Sequence, residues 1–197
     1  KVLFEGDGYS DEWHHEAERR GLPNLRTTPL ALDAMVTDKA KHLYESNGVY
    51  SHIELEARHE IELEKYIKRV QIEARIMGEL ATSHILPPAI KYQNTLIENI
   101  KGLKELGLKD SAYANQKAIL EKISEHISKV SALVEKMIEA RKVANAIGDT
   151  RTKAIAYNSQ VKEPFFDEIR YHVDKLELLV DDKEWVLSKY REMLFLR

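Results

Sequence analysis

Glu12 and His15 in "EWHH", and Glu56 and His59 in "EARH", share one spacing. On a helix it places a carboxylate and an imidazole on the same face, as in the ligand pairs of di-iron carboxylate bundles. That chemistry needs both pairs on long core helices, together with two further carboxylates. With 23 glutamates and 8 histidines in the chain, the spacing carries little information. Both pairs are therefore expected on solvated helix faces, which leaves a metal-binding four-helix bundle a distant reading. "HHEAE" also lacks the second histidine of a zinc-protease helix. The opening "EGDGYS" has neither the lysine and hydroxyl of a P-loop nor the glycine spacing of a dinucleotide fold. Asp7, Tyr9 and Asp11 resemble the start of a calcium loop, yet Glu12 stands where that loop needs glycine. A tight turn is the expected structure there. No serine or lysine nucleophile has a recognisable partner, so the residues alone assign no catalytic, cofactor-binding or metal position.

The elements that would have to position any site are helical. The 197 residues are 43% hydrophobic and 32% charged, with 30 basic against 33 acidic side chains interspersed. That mixture suits long solvent-facing helices and lacks the one-signed face of a nucleic-acid binder. There is no cysteine, which excludes disulfides and thiolate sites and makes a reducing cytoplasm the expected compartment. The apolar runs are too short to span a bilayer, so no membrane partner is expected.

Val2 to Phe4 could form a short strand, with "EGDG" as the turn leaving it. Ser10 can cap a helix from Asp11 to about Arg20 that ends at Gly21. Thr28-Pro29 begins a second short helix, and "TDKAKHLYESNG" gives a third. Ser51 and Glu54 form a capping box, with Tyr50 and Leu55 placed as a hydrophobic staple. Leu63, Ile67, Val70, Ala74, Met77 and Ala81 then alternate steps of four and three on one helix face. Pro87 and Pro88 predict a kink or break, after which Ile90, Ile97, Ile100 and Leu103 resume the pattern. Asp110 is placed to cap the next helix, whose Leu120, Ile123, Ile127, Val130, Val134 and Met137 form a coiled-coil-like seam. A further helix carries Phe166, Ile169, Val173, Leu176 and Val180, with Pro164 near its start or kinking it.

The expected fold is all-α: an elongated antiparallel bundle of coiled-coil-like long helices, preceded by a strand-and-turn stub and small helices. Residues 1–50 form the stub and short helices, 51–180 the long-helix bundle, and 181–197 a C-terminal docking helix. In that last segment Asp181 and Glu184 suggest a capping box, and Val180 with Trp185 a staple. Trp185, Leu187, Tyr190 and Leu194 bring large apolar groups toward one side, making them the candidate interface. Packing within the bundle end competes with docking on another domain or subunit as the role of Trp185 and Tyr190.

"GDGYSDEW", "EAERRGLPNLRTTPLAL", "NGVYSHIELEARHEIELEKY" and "ILPPAIKY", in that order, resemble the C-terminal region of type III glutamine synthetases, the long bacterial form. The closing "LVDDKEWVLSKYREMLF" resembles the family's C-terminal end. The resemblance covers nearly the whole chain. It implies a parent enzyme that joins glutamate and ammonia using ATP, with magnesium or manganese holding the phosphates. It also implies that the active-site motifs lie upstream, so no catalytic, nucleotide or metal residue carries over to this sequence. The opening segment then marks where the chain leaves the catalytic domain. The implied partners are that domain and neighbouring subunits of a dodecamer. The chain by itself is expected to be inert and to hold no cofactor, with a structural, oligomerisation or regulatory role. An independent helical interaction module is the alternative.

Overall fold

The computed structural model describes residues 3–194, apart from the side chains of Tyr190 and Arg191. Among the described residues the regular structure is all helical. Leu3 and Phe4 are irregular rather than a strand, and Val2 lies outside the described residues. A strand needs a neighbour to accept its backbone hydrogen bonds, and here the segment is held by side chains instead. The Arg20 guanidinium donates to the Leu3 carbonyl at 2.6 Å, and the rings of Phe4 and Trp13 lie 4.8 Å apart.

Two compact units divide the chain, residues 1–66 and 67–197. In the first, α1 (Asp11–Arg19) starts where the Ser10 hydroxyl accepts from the Trp13 amide. It carries Glu16 between Arg19 and Arg20, whose hydrogen bonds hold that carboxyl down to about 2. α2 (Thr28–Leu32) has Pro29 in its first turn and runs into a 3-10 turn, Asp33–Val36. α3 (Asp38–Ser46) is capped by Thr37, which accepts from Ala40 N–H. It ends in a Schellman turn, in which Val49 N–H reaches the Tyr44 carbonyl across Gly48 at φ 65°. Only glycine takes that left-handed turn without strain.

α4 (His52–Leu80) opens with the predicted capping box. Ser51 N–H donates to Glu54 Oε2 at 2.8 Å, and Glu54 N–H donates to Ser51 Oγ at 3.3 Å. Leu55, the expected staple residue, is buried. The short helices therefore pack with about four turns of α4, with Leu55 and Leu63 buried, a Lys41–Glu56 ion pair and a Glu45–His52 contact at 3.0 Å. Replacing Ser51 with alanine removes the hydroxyl half of the box. The expected cost is about 1 kcal/mol, read as a lower urea midpoint at unchanged slope. An unmoved midpoint would mean that the hydroxyl contributes nothing.

In the second unit the rest of α4 meets α6 (Ala114–Asn145) through the predicted seam. Val70, Ala74 and Ala81 on one side and Ile123, Val130, Val134 and Met137 on the other are all buried. Gly78 faces this seam: a Cβ there would meet Val134 at 3.6 Å, an ordinary van der Waals contact. Gln71 binds Asn145 and Gln93 binds Ser124. Later residues of one strip thus meet earlier residues of the other, which makes the strips antiparallel. α7 (Thr150–Ala156) and α8 (Glu163–Leu179) return along α6 in the same sense, because Tyr157 bonds Asn145 and His172 meets His126. Asp149 caps α7 by accepting from Thr152 N–H at 2.7 Å.

The prolines neither break nor end the helices. Ala81–Ile85 is a π turn that joins α4 to α5 (Leu86–Glu105), with the Leu86 amide bonded to the Ala81 carbonyl. Proline in a regular helix clashes with the carbonyl four residues back and leaves it without a donor. For Pro87 and Pro88 those carbonyls belong to Ser83 and His84, inside the wider turn. Pro164 repeats the arrangement: Gln160 sits in the second π turn, Tyr157–Lys162, between α7 and α8. Leu86 keeps helical angles, although a residue before proline usually avoids them.

The π turn also moves the apolar face. Ala81, Ile85, Ala89 and Leu96 are buried, whereas Ile90 is exposed, contrary to the predicted pattern. Asp110 does not cap α6 either. It lies in a 3-10 turn and takes the Tyr113 hydroxyl, and α6 begins only at Ala114.

Candidate functional site

The predicted metal pairs do not converge. Glu12 and His15 are both exposed on α1. Glu56 turns to Lys41 at 2.6 Å, while His59 faces Asp33 with Nε2 and Oδ1 3.4 Å apart and no aligned hydrogen bond. Among the described residues no three histidine, aspartate or glutamate side chains are grouped to hold a metal ion. The opening loop is an aspartate-nucleated turn: Asp7 Oδ1 accepts from Tyr9 N–H at 2.9 Å and the Asp7 carbonyl accepts from the Ser10 hydroxyl. Its polar atoms are engaged locally rather than aimed at a ligand.

The C-terminal segment departs from the predicted helix. Asp181 Oδ1 accepts from Lys183 N–H, and Glu184 pairs with Lys91 at 2.8 Å instead of closing a capping box. Residues 181–184 form a turn, 185–189 are irregular, and α9 (Tyr190–Met193) is a single turn. The physical cause is competition. Both carboxylates of the expected box have other donors, while Val180 and Trp185 are both buried. Lys189 then ties the segment to the end of α8, donating to the Glu177 carbonyl at 2.8 Å and to Asp182 at 2.5 Å.

The four candidate interface residues consequently separate. Trp185 is buried within its own unit, and Leu194 is 59% exposed. The side chain of Tyr190 lies outside the described residues. Leu187 lines an apolar groove of about 490 Å³ between α4 and α8, with Ile76, Ile85, Phe166 and Val173 among its walls. Glu73 and Arg170 are the charged residues of the lining. Ile72 and Ile76 are about half exposed on the groove. Periodicity gives no sign of this groove, because it depends on where the irregular segment 185–189 returns to the helices. No helix among the described residues is long and apolar enough to cross a membrane.

Comparison with known proteins places the chain in a family. The family model for the glutamine synthetase C-terminal domain matches residues 1–104. The chain belongs to that family. A glutamine synthetase of Bacteroides fragilis is 43% identical over 98% of this chain, and a type-3 glutamine synthetase of Dictyostelium discoideum is 32% identical over all of it. A glutamine synthetase of Butyrivibrio fibrisolvens is 31% identical over 99% of the chain. The chain spans only 27–28% of the length of these relatives. The resemblance read from "NGVYSHIELEARHEIELEKY" and its companion stretches thus names the right family.

Proposed function

We propose that this chain is the helical C-terminal part of a type III glutamine synthetase, serving assembly or regulation of an ATP-dependent glutamate–ammonia ligase. The observation that carries the reading is the match itself, which takes in essentially the whole chain and about a quarter of each relative. In this reading ATP and magnesium or manganese are held elsewhere in the parent enzyme. The described residues offer neither a phosphate-cradling loop nor a three-ligand cluster that would fit them, and no chemical step is assigned to this chain. The long helices act as a bundled scaffold in the cytoplasm. The segment bearing Trp185, Leu187, Tyr190 and Leu194 meets the catalytic domain or a neighbouring subunit of the oligomer. The exposure of Val186 and Leu194, with Leu187 between them in sequence lining the groove, supports that assignment, since large apolar groups left at a surface mark contact sites.

Titrating the isolated chain with ATP and magnesium in a calorimeter is expected to give no saturable heat. A site of micromolar affinity would refute the assignment of nucleotide binding to the rest of the enzyme.

A further inference from the structure

α6 and α8 share a polar contact with no part in the assembly reading. His126 Nδ1 lies 2.9 Å from His172 Nδ1, with ring centroids 5.2 Å apart and ring planes at 48°. His172 is buried, and its other nitrogen, Nε2, lies 3.4 Å from Glu168 Oε1. A hydrogen bond between two imidazole nitrogens needs one proton between them, one ring donating and the other accepting through its lone pair. Glu168 favours a proton on His172 Nε2, which leaves His172 Nδ1 as the acceptor and His126 Nδ1–H as the donor. One added proton is compatible with this contact, because a charged ring still donates to a neutral one. Two are not. Both nitrogens would then carry protons, the acceptor would be gone, and two like charges would face each other at contact distance.

We propose that His126 and His172 form an acid-sensitive latch between α6 and α8, closed near neutral pH and released when both rings are charged. The groups around it set the direction. Glu125 on α6 favours a proton on His126 and Lys175 on α8 opposes one, while Glu168 on α8 lies against His172 Nε2. The Tyr171 ring meets His172 edge-on. α5, which also packs on α6, contributes the neutral Gln93–Ser124 bond, and its Lys91 is paired with Glu184. Burial first, then the proximity of His172, hold His126 below the ordinary histidine range. A ring so lowered binds protons more readily in the unfolded chain. Its contribution to stability is present above about 6.5 and is lost as pH falls from there through the folded value.

In the full-length protein, hydrogen–deuterium exchange at the imidazole C2 position, read by mass spectrometry, gives the titration midpoint of His126 without any substitution. A midpoint below about 6.5 is expected, and one at or above it overturns the latch. Amide exchange across residues 120–130 and 168–176, corrected for intrinsic rates, adds a second readout. Between about pH 7.5 and about pH 5.5 the parent is expected to lose protection in both segments. His126→Asn can still donate to His172 but cannot titrate, and it is expected to keep its protection. An equal loss in parent and variant overturns the proposal. Should His126→Asn fail to fold, His172→Asn supplies an accepting amide opposite His126 and the same comparison applies. Saturable protection by zinc chloride near neutral pH, abolished by His126→Asn, would make the pair a metal site and also overturn the latch.

Discussion

Ile123→Asp is expected to destabilise the 67–197 unit by about 3–5 kcal/mol, the scale of an uncompensated buried charge. Ile123 is 0% exposed in the first half of α6. A carboxylate there reaches neither water nor a cation without separating α6 from its neighbours. For a chain of this size such a loss lowers the melting temperature by about 10 °C or more. Ile127, one turn on, belongs to the same sequence seam but is only half-buried. Its aspartate variant can turn toward solvent and is expected to cost clearly less. Thermal melts of both variants by circular dichroism test the pair of expectations. Equal small shifts would mean that the seam around Ile123 is open enough to admit water.

The second large effect concerns assembly of the parent enzyme. Val186 and Leu194 are more than half exposed, so replacing both with aspartate leaves the core beneath them unchanged. If the C-terminal segment meets another part of the enzyme, the two charges are desolvated there without partners. The full-length double variant is then expected to sediment as smaller species with reduced activity, while the isolated chain melts as before. A full-sized, fully active oligomer would show that the segment makes only local contacts. Trp185→Ala is less suitable for this purpose. Trp185 is buried in its own unit, and its loss opens a cavity that disturbs folding and assembly together.

Local chemistry made much of this fold legible in advance. Ser10 and Ser51 are short polar side chains facing free amides, and the one caps its helix while the other completes a box. The seam residues were legible because helical spacing alone brings them to one face. What escaped depended on partners remote in sequence. Glu184 looks like a capping residue until Lys91 is seen beside it. Asp110 looks like a cap until the Tyr113 hydroxyl takes its oxygen. Ile90 fits the spacing only if the helix winds uniformly across residues 81–85. The groove and the contact between His126 and His172 each arise where separate elements meet, and no spacing rule within one helix encodes them. Family membership was readable from ordered stretches of residues, whereas the role of the segment after α8 was not.

Each π turn gives its helix one residue more than regular winding would place between the flanking segments, and each is followed by proline after a single intervening residue, Leu86 or Glu163. In α-helical geometry one residue corresponds to a turn of about 100° about the axis. Removing a residue from 81–85 would therefore act less as a shortening than as a rotation. It would swing everything from Leu86 onward, carrying Ala89 and Leu96 away from α6 and setting the rings of Pro87 and Pro88 against regular helical carbonyls. An insertion there and the prolines that follow it make sense only as a pair. Across descendants of this chain the two are expected to be inherited or lost together, so that a change in length at either turn reads as a change in which face the next helix presents.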